Sequence, residues 1–104
     1  MELNAKVAKL YSLTGHGEPI RFWAEAGRVA WRDARDGSYG TMSCKQAEDR
    51  TKAVQRRVAA FLRDGENTLG VKRMKAFLED MEEVLRLAKS QRAEIVPKLF
   101  RGVS

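Results

Sequence analysis

Residues 19–36, PIRFWAEAGRVAWRDARD, decide the fold, because the same eighteen residues make either a helix or a two-stranded hairpin. On a helical wheel Ile20, Trp23, Ala24, Gly27, Ala30 and Trp31 share a face, and Arg21, Arg28, Arg32 and Arg35 gather on another. Phe22 and Val29 then fall on a third side, so a helix here would be buried on two flanks or would offer an apolar flank to a partner. As a hairpin turning near Gly27, Trp23 and Trp31 would sit in two short strands within 20–32. Ala, Glu and Arg are good helix formers and β-branched residues are few, which favours the helix. In either form, arginines interleave with two tryptophans, a mixture that can hold phosphates and stack bases. The commoner outcome for such tryptophans is burial in a core with arginines at its rim.

Downstream, residues 43–64, SCKQAEDRTKAVQRRVAAFLRD, read as a helix without ambiguity. Ser43 and Gln46 have capping-box spacing, no Pro or Gly interrupts the run, and Gly65 is a natural stop. Ala47, Thr51, Val54, Val58, Phe61 and Leu62 gather on the side such a helix buries. Lys45, Lys52, Arg56 and Arg63 fall almost opposite, in a row about 27 Å long at 1.5 Å per residue. Four aligned cations suit a phosphate backbone, although Asp49 interrupts the row and solvated surface charge is the ordinary alternative.

A second long helix is predicted over roughly 70–92, with Asn67 or Thr68 as N-cap and Met74, Phe77, Leu78, Met81, Leu85 and Ala88 as its apolar face. Its short connection to the preceding helix implies an antiparallel hairpin. Its outer face mixes Glu79 and Glu83 with Lys72 and Arg86, a poor surface for nucleic acid, with Glu82–Arg86 as a supportive pair. Upstream, ELNAKVAKLYSL (2–13) spaces Leu3, Val7, Leu10 and Tyr11 as a short amphipathic helix. TGHGEP (14–19) and DGSYGT (36–41) are connectors. The tail 93–104 carries Ile95, Val96, Leu99 and Phe100, with Pro97 breaking any helix, so it either folds back or docks on a partner. The expected architecture is all-α: one domain over 1–104, a bundle of three or four helices around a central antiparallel helical hairpin. A short β-hairpin at 20–32 is the stated alternative.

Composition narrows the function. Twenty Lys and Arg against fourteen Asp and Glu leave a formal charge of +6, which attracts nucleic acid, acidic proteins or anionic membranes. The surplus is uneven: residues 45–57 contribute five basic groups against Glu48 and Asp49, and 86–101 five against one, whereas 79–83 (EDMEE) is a local acidic block. Cys44 is the only cysteine, so no intrachain disulfide can form, and a cytoplasmic location is expected. No apolar run reaches spanning length, and the N-terminal amphipathic stretch lacks Trp or Phe, which disfavours a membrane partner.

Enzyme chemistry finds little support. His16, the only histidine, lies in a connector far from Cys44, and no metal-ligand spacing, Walker loop or dinucleotide fingerprint occurs. No catalytic residue, metal or cofactor is therefore expected. LGVKRMKAFL (69–78) lacks the continuous preceding helix that a helix-turn-helix requires.

The leading expectation is a non-enzymatic subunit that binds nucleic-acid backbone, DNA or RNA, without sequence readout, inside a larger nucleoprotein assembly. Lys45, Lys52, Arg56 and Arg63 would contact phosphates, with Arg21, Arg28 and Arg32 extending the surface. The alternative is a small inhibitor or adaptor that binds an acidic protein surface through Phe22, Val29 and Phe100. Self-association of the helical hairpin is a third option.

Overall fold

The computed structural model describes residues 6–12 and 17–103, with side chains described through residue 93 of that span. The order of elements is β1 (Ala8–Leu10), β2 (Ile20–Glu25), β3 (Arg28–Asp33), β4 (Tyr39–Met42), α1 (Cys44–Arg63) and α2 (Leu69–Val103). The strands form an antiparallel sheet in the order β1-β2-β3-β4, and the two helices follow it in the chain. The protein is α+β, which overturns the all-α bundle expected from the sequence.

The error lies in residues 19–36. Successive strand side chains point to opposite faces, and the inward set here is Ile20, Phe22 and Ala24 on β2 with Val29, Trp31 and Asp33 on β3. Phe22 is 1% and Val29 0% exposed, so neither belongs to an open apolar flank offered to a partner. Their position on a third side of the helical wheel was the sign that period 3.6 was wrong and period 2 right. The turn escapes the usual sequence signal because it is Ala-Gly rather than Asn-Gly. Ala26 (φ 52°) and Gly27 (φ 81°) both take positive φ, the requirement of a two-residue hairpin loop whose twist matches its strands. A left-handed alanine costs about 1–2 kcal/mol, so packing must hold the tip. Gly27 N donates to Gln91 Oε1 at 3.0 Å, and the Cys44 thiol donates to the Gly27 carbonyl at 3.6 Å.

Two further local predictions give way. In the stretch expected as a first helix, the described part holds β1, which pairs Ala8 with Phe22 and Leu10 with Ile20. The connector 36–41 includes the start of β4, joined to β3 by a turn with Gly37 at φ 77°. In that turn Asp33 accepts two hydrogen bonds from the Arg35 guanidinium, at 2.9 and 2.7 Å. Those bonds hold the Asp33 carboxyl below the usual carboxylate range. His16 and the segment around it lie outside the described residues.

The long helices agree with expectation more closely. Ser43 caps α1 with the full capping box: Ser43 Oγ accepts from Gln46 N at 3.1 Å and Gln46 Oε1 from Ser43 N at 2.9 Å. Gly65, at φ 77°, follows the last turn. Thr68 Oγ1 accepts from Val71 N at the start of α2. Glu48 of α1 pairs with Lys89 of α2 at 2.6 Å, while Gln55 lies beside Glu82 across the same groove, so the helices run antiparallel. Arg86 pairs with Glu83 rather than Glu82. Helix α2 continues to Val103, so Pro97 does not end it and the tail is not a separate segment.

The core lies between the helices and one face of the sheet. Ala8, Phe22, Val29 and Met42 meet Ala47, Val54 and Val58 of α1 and Val71, Phe77, Met81 and Val84 of α2. The Phe22 and Phe77 rings sit 5.6 Å apart at 58°, a tilted aromatic pair at the centre of that layer.

Candidate nucleic-acid interface

With helices on one face of the sheet, the other face is open, and its residues follow from register. Lys9 pairs with Arg21, Arg21 with Arg32 and Arg32 with Tyr39, so these four form one rung across all four strands. The next rung is Trp23, Ala30 and Thr41, and the last pairs Glu25 with Arg28. Strands stand about 4.8 Å apart, which brings Lys9, Arg21 and Arg32 into direct cross-strand succession. Like charges placed opposite one another destabilise a sheet by roughly 0.2–1 kcal/mol per pair. Their carboxylate relief is sparse: Glu18 reaches Arg21 at 3.6 Å, and among the described residues no ion pair engages Lys9, Arg28 or Arg32. Arg28 Nε instead donates to Thr41 Oγ1 at 3.3 Å.

Aromatic surface adjoins the charge. Tyr39 is 81% exposed, more open than the exposed leucines Leu62 and Leu69. Trp23 is half-buried beside Ala30, whose methyl group leaves the middle of the face low. A concavity of about 490 Å³ lies here, lined by Trp23, Glu25, Ala30, Arg32, Tyr39 and Thr41 among others. Trp31 belongs to the inward face, where its indole covers Gly40. A Cβ on Gly40 would stand 3.1 Å from that ring, so the glycine gives the tryptophan its seat.

The seven cations expected to act together are divided. Arg21, Arg28 and Arg32 share the open sheet face. Lys45, Lys52, Arg56 and Arg63 are all exposed on α1, on the side turned away from the core. The α1 row is diluted by acids. Lys45 reaches Asp49 at 3.4 Å, and the charges of Lys52 and Lys45 help Lys89 keep Glu48 ionised. Among the described residues Lys52, Arg56 and Arg63 engage in no ion pair, so part of the row survives.

Sequence inspection missed Lys9, assigned to a helix, and Tyr39, assigned to a connector. Alternation of R-x-W-x-E with R-x-A-x-R across the turn signals the hairpin, but neither Lys9 nor Tyr39 lies within it. Of the three residues proposed for a protein partner, Phe22 and Val29 are core, and the Phe100 side chain lies outside the described residues. Among the described residues no group of three or more His, Cys, Asp or Glu could hold a metal ion, and no helix is long and apolar enough to cross a membrane. Compared with known proteins, the chain matches no family model, no curated protein and no solved structure.

Proposed function

We propose that this chain is a non-enzymatic module that binds the backbone of a nucleic acid without reading its sequence, with the open sheet face as its contact surface. The observation that carries the proposal is the rung Lys9–Arg21–Arg32: three adjacent like charges that folding alone disfavours and that a polyanion would convert into attraction. Arginine suits this role because its planar fork meets phosphate oxygens in pairs. The free cations of α1 add a second, weaker basic surface over which a long polyanion could continue. A cytoplasmic location belongs to the same proposal, since the lone Cys44 is a buried free thiol with no disulfide to need an oxidising compartment.

Titrating a labelled oligonucleotide at several salt concentrations tests this directly. Four phosphate contacts, one each from Lys9, Arg21, Arg28 and Arg32, give a slope of log affinity against log salt of about −3 for a single strand. Binding that is indifferent to salt contradicts the proposal.

A further inference from the structure

The open sheet face combines two chemistries that a duplex cannot use together. A double helix offers phosphates outside and hides the faces of its bases, whereas a single strand exposes both. Beside the cationic rung stand Tyr39 at the sheet edge and Trp23 one rung away and two strands over. From strand spacing and rise per residue, their backbones are about 12 Å apart. Between them lies Ala30, short and 2% exposed because its neighbours cover it, and the concavity of about 490 Å³ is bordered by both aromatic side chains and by Arg32. An aromatic as exposed as Tyr39 contributes little to the core, while its ring is free to receive a base. At the far side of the concavity stand Glu25 and Thr41, with Arg28 paired to Glu25 across the strands and donating to Thr41 Oγ1, so the cations run mainly along the Lys9–Arg21–Arg32 rung and continue at Arg28.

We infer that the occupant of this face is a single-stranded nucleic acid, with bases stacked on Tyr39 and Trp23 and phosphates along Lys9, Arg21 and Arg32. This rests on the backbone-binding proposal and adds the substrate class to it. Because every base has a stacking face, the contact tolerates sequence, in keeping with the absence of base readout.

Three probes of equal length distinguish the layers of this claim: a single-stranded oligothymidine, an abasic strand carrying the same phosphates, and a duplex. The single strand is expected to bind at least about fivefold more tightly than the abasic strand, the equivalent of one stacked base, and more tightly than the duplex. Tyr39→Ala, at an exposed site where loss of folding is not expected, should lower single-strand affinity about fivefold and leave abasic binding unchanged. Circular dichroism of the variant checks its fold, and comparing the three probes on the unaltered protein needs no variant at all. Equal affinity for single and abasic strands, or tighter duplex binding, overturns the stacking inference. The backbone proposal survives that outcome only if Arg21→Glu/Arg32→Glu still removes binding. No binding to any probe, or binding that ignores that double reversal, overturns both.

Discussion

Ser43 and Gln46 close the start of α1 with two hydrogen bonds inside a single turn of chain, whereas the tip of the β2–β3 hairpin is held by Gln91, sixty-four residues away in sequence. Helix α1 carries its own punctuation: a capping box, an uninterrupted run of helix formers and a glycine stop. The hairpin has a turn with no favoured dipeptide, an alanine in left-handed conformation, and strands rich in residues that also suit helices. It exists because Phe22 and Val29 find a helical layer to cover them and because α2 meets its turn. The difference teaches that adjacent stretches of similar length can take their structure from local and from long-range contacts respectively, and mutation should treat them differently.

The largest expected effect is at the centre of that dependence. Phe22→Ala removes a ring that is 1% exposed and paired with Phe77, and it should cost about 3–5 kcal/mol in chemical denaturation. At the turn, a Cβ on Gly27 would meet the Cα and Cβ of Arg92 at 3.1 Å while φ stays at 81°. Gly27→Val should therefore cost about 2–3 kcal/mol, measured the same way. A loss below about 0.5 kcal/mol would mean the tip is not held by α2. Ser43→Ala touches only the helix cap and should cost about 1 kcal/mol. A much larger loss would show that α1 depends on the rest of the fold as strongly as the hairpin does.

The smallest effect is on acid stability. The hydrogen bonds from Arg35 hold the Asp33 carboxyl, and the hydrogen bond from Lys89 the Glu48 carboxyl, below the usual carboxylate range. A group with a depressed folded-state pKa stabilises above its unfolded pKa and loses that contribution as pH falls through the folded value. Thermal melts from pH 6 downward should thus show stability declining as pH falls through and below the ordinary carboxylate range. Asp33→Asn should flatten the decline. Because Asp33 anchors the β3–β4 turn and Glu48 ties α1 to α2, comparing Asp33→Asn with Glu48→Gln separates the acid sensitivity of the two regions.

What could be read in the chain follows the same division. The ends of α1, its capping box, most of its buried side and the apolar face of α2 were legible, because each is written in neighbouring residues; Leu62, read as part of that buried side, is instead 44% exposed. The sheet was not: β1 spans three residues, β4 contains a glycine, and Ile20–Asp33 satisfies a helical wheel except for Phe22 and Val29. Arg21, Arg28 and Arg32 were singled out as one cationic group, and the structure keeps them on one face. Lys9 joins them only through pairing with Arg21, and Tyr39 only through pairing with Arg32, contacts that no local pattern announces. The basic row of α1 was the more visible feature, yet Asp49 and Glu48 engage part of it.

Two double charge reversals, compared in one oligonucleotide-binding assay, test the central claim most directly. Arg21→Glu/Arg32→Glu alters the open sheet face, and Lys52→Glu/Arg56→Glu alters α1; each leaves the core untouched and changes net charge equally. If the sheet face holds the polyanion, the first pair loses binding by tenfold or more, about 1.4 kcal/mol, and the second retains most of it. Equal losses in the two variants, or a greater loss from the α1 pair, would contradict the assignment of the sheet face.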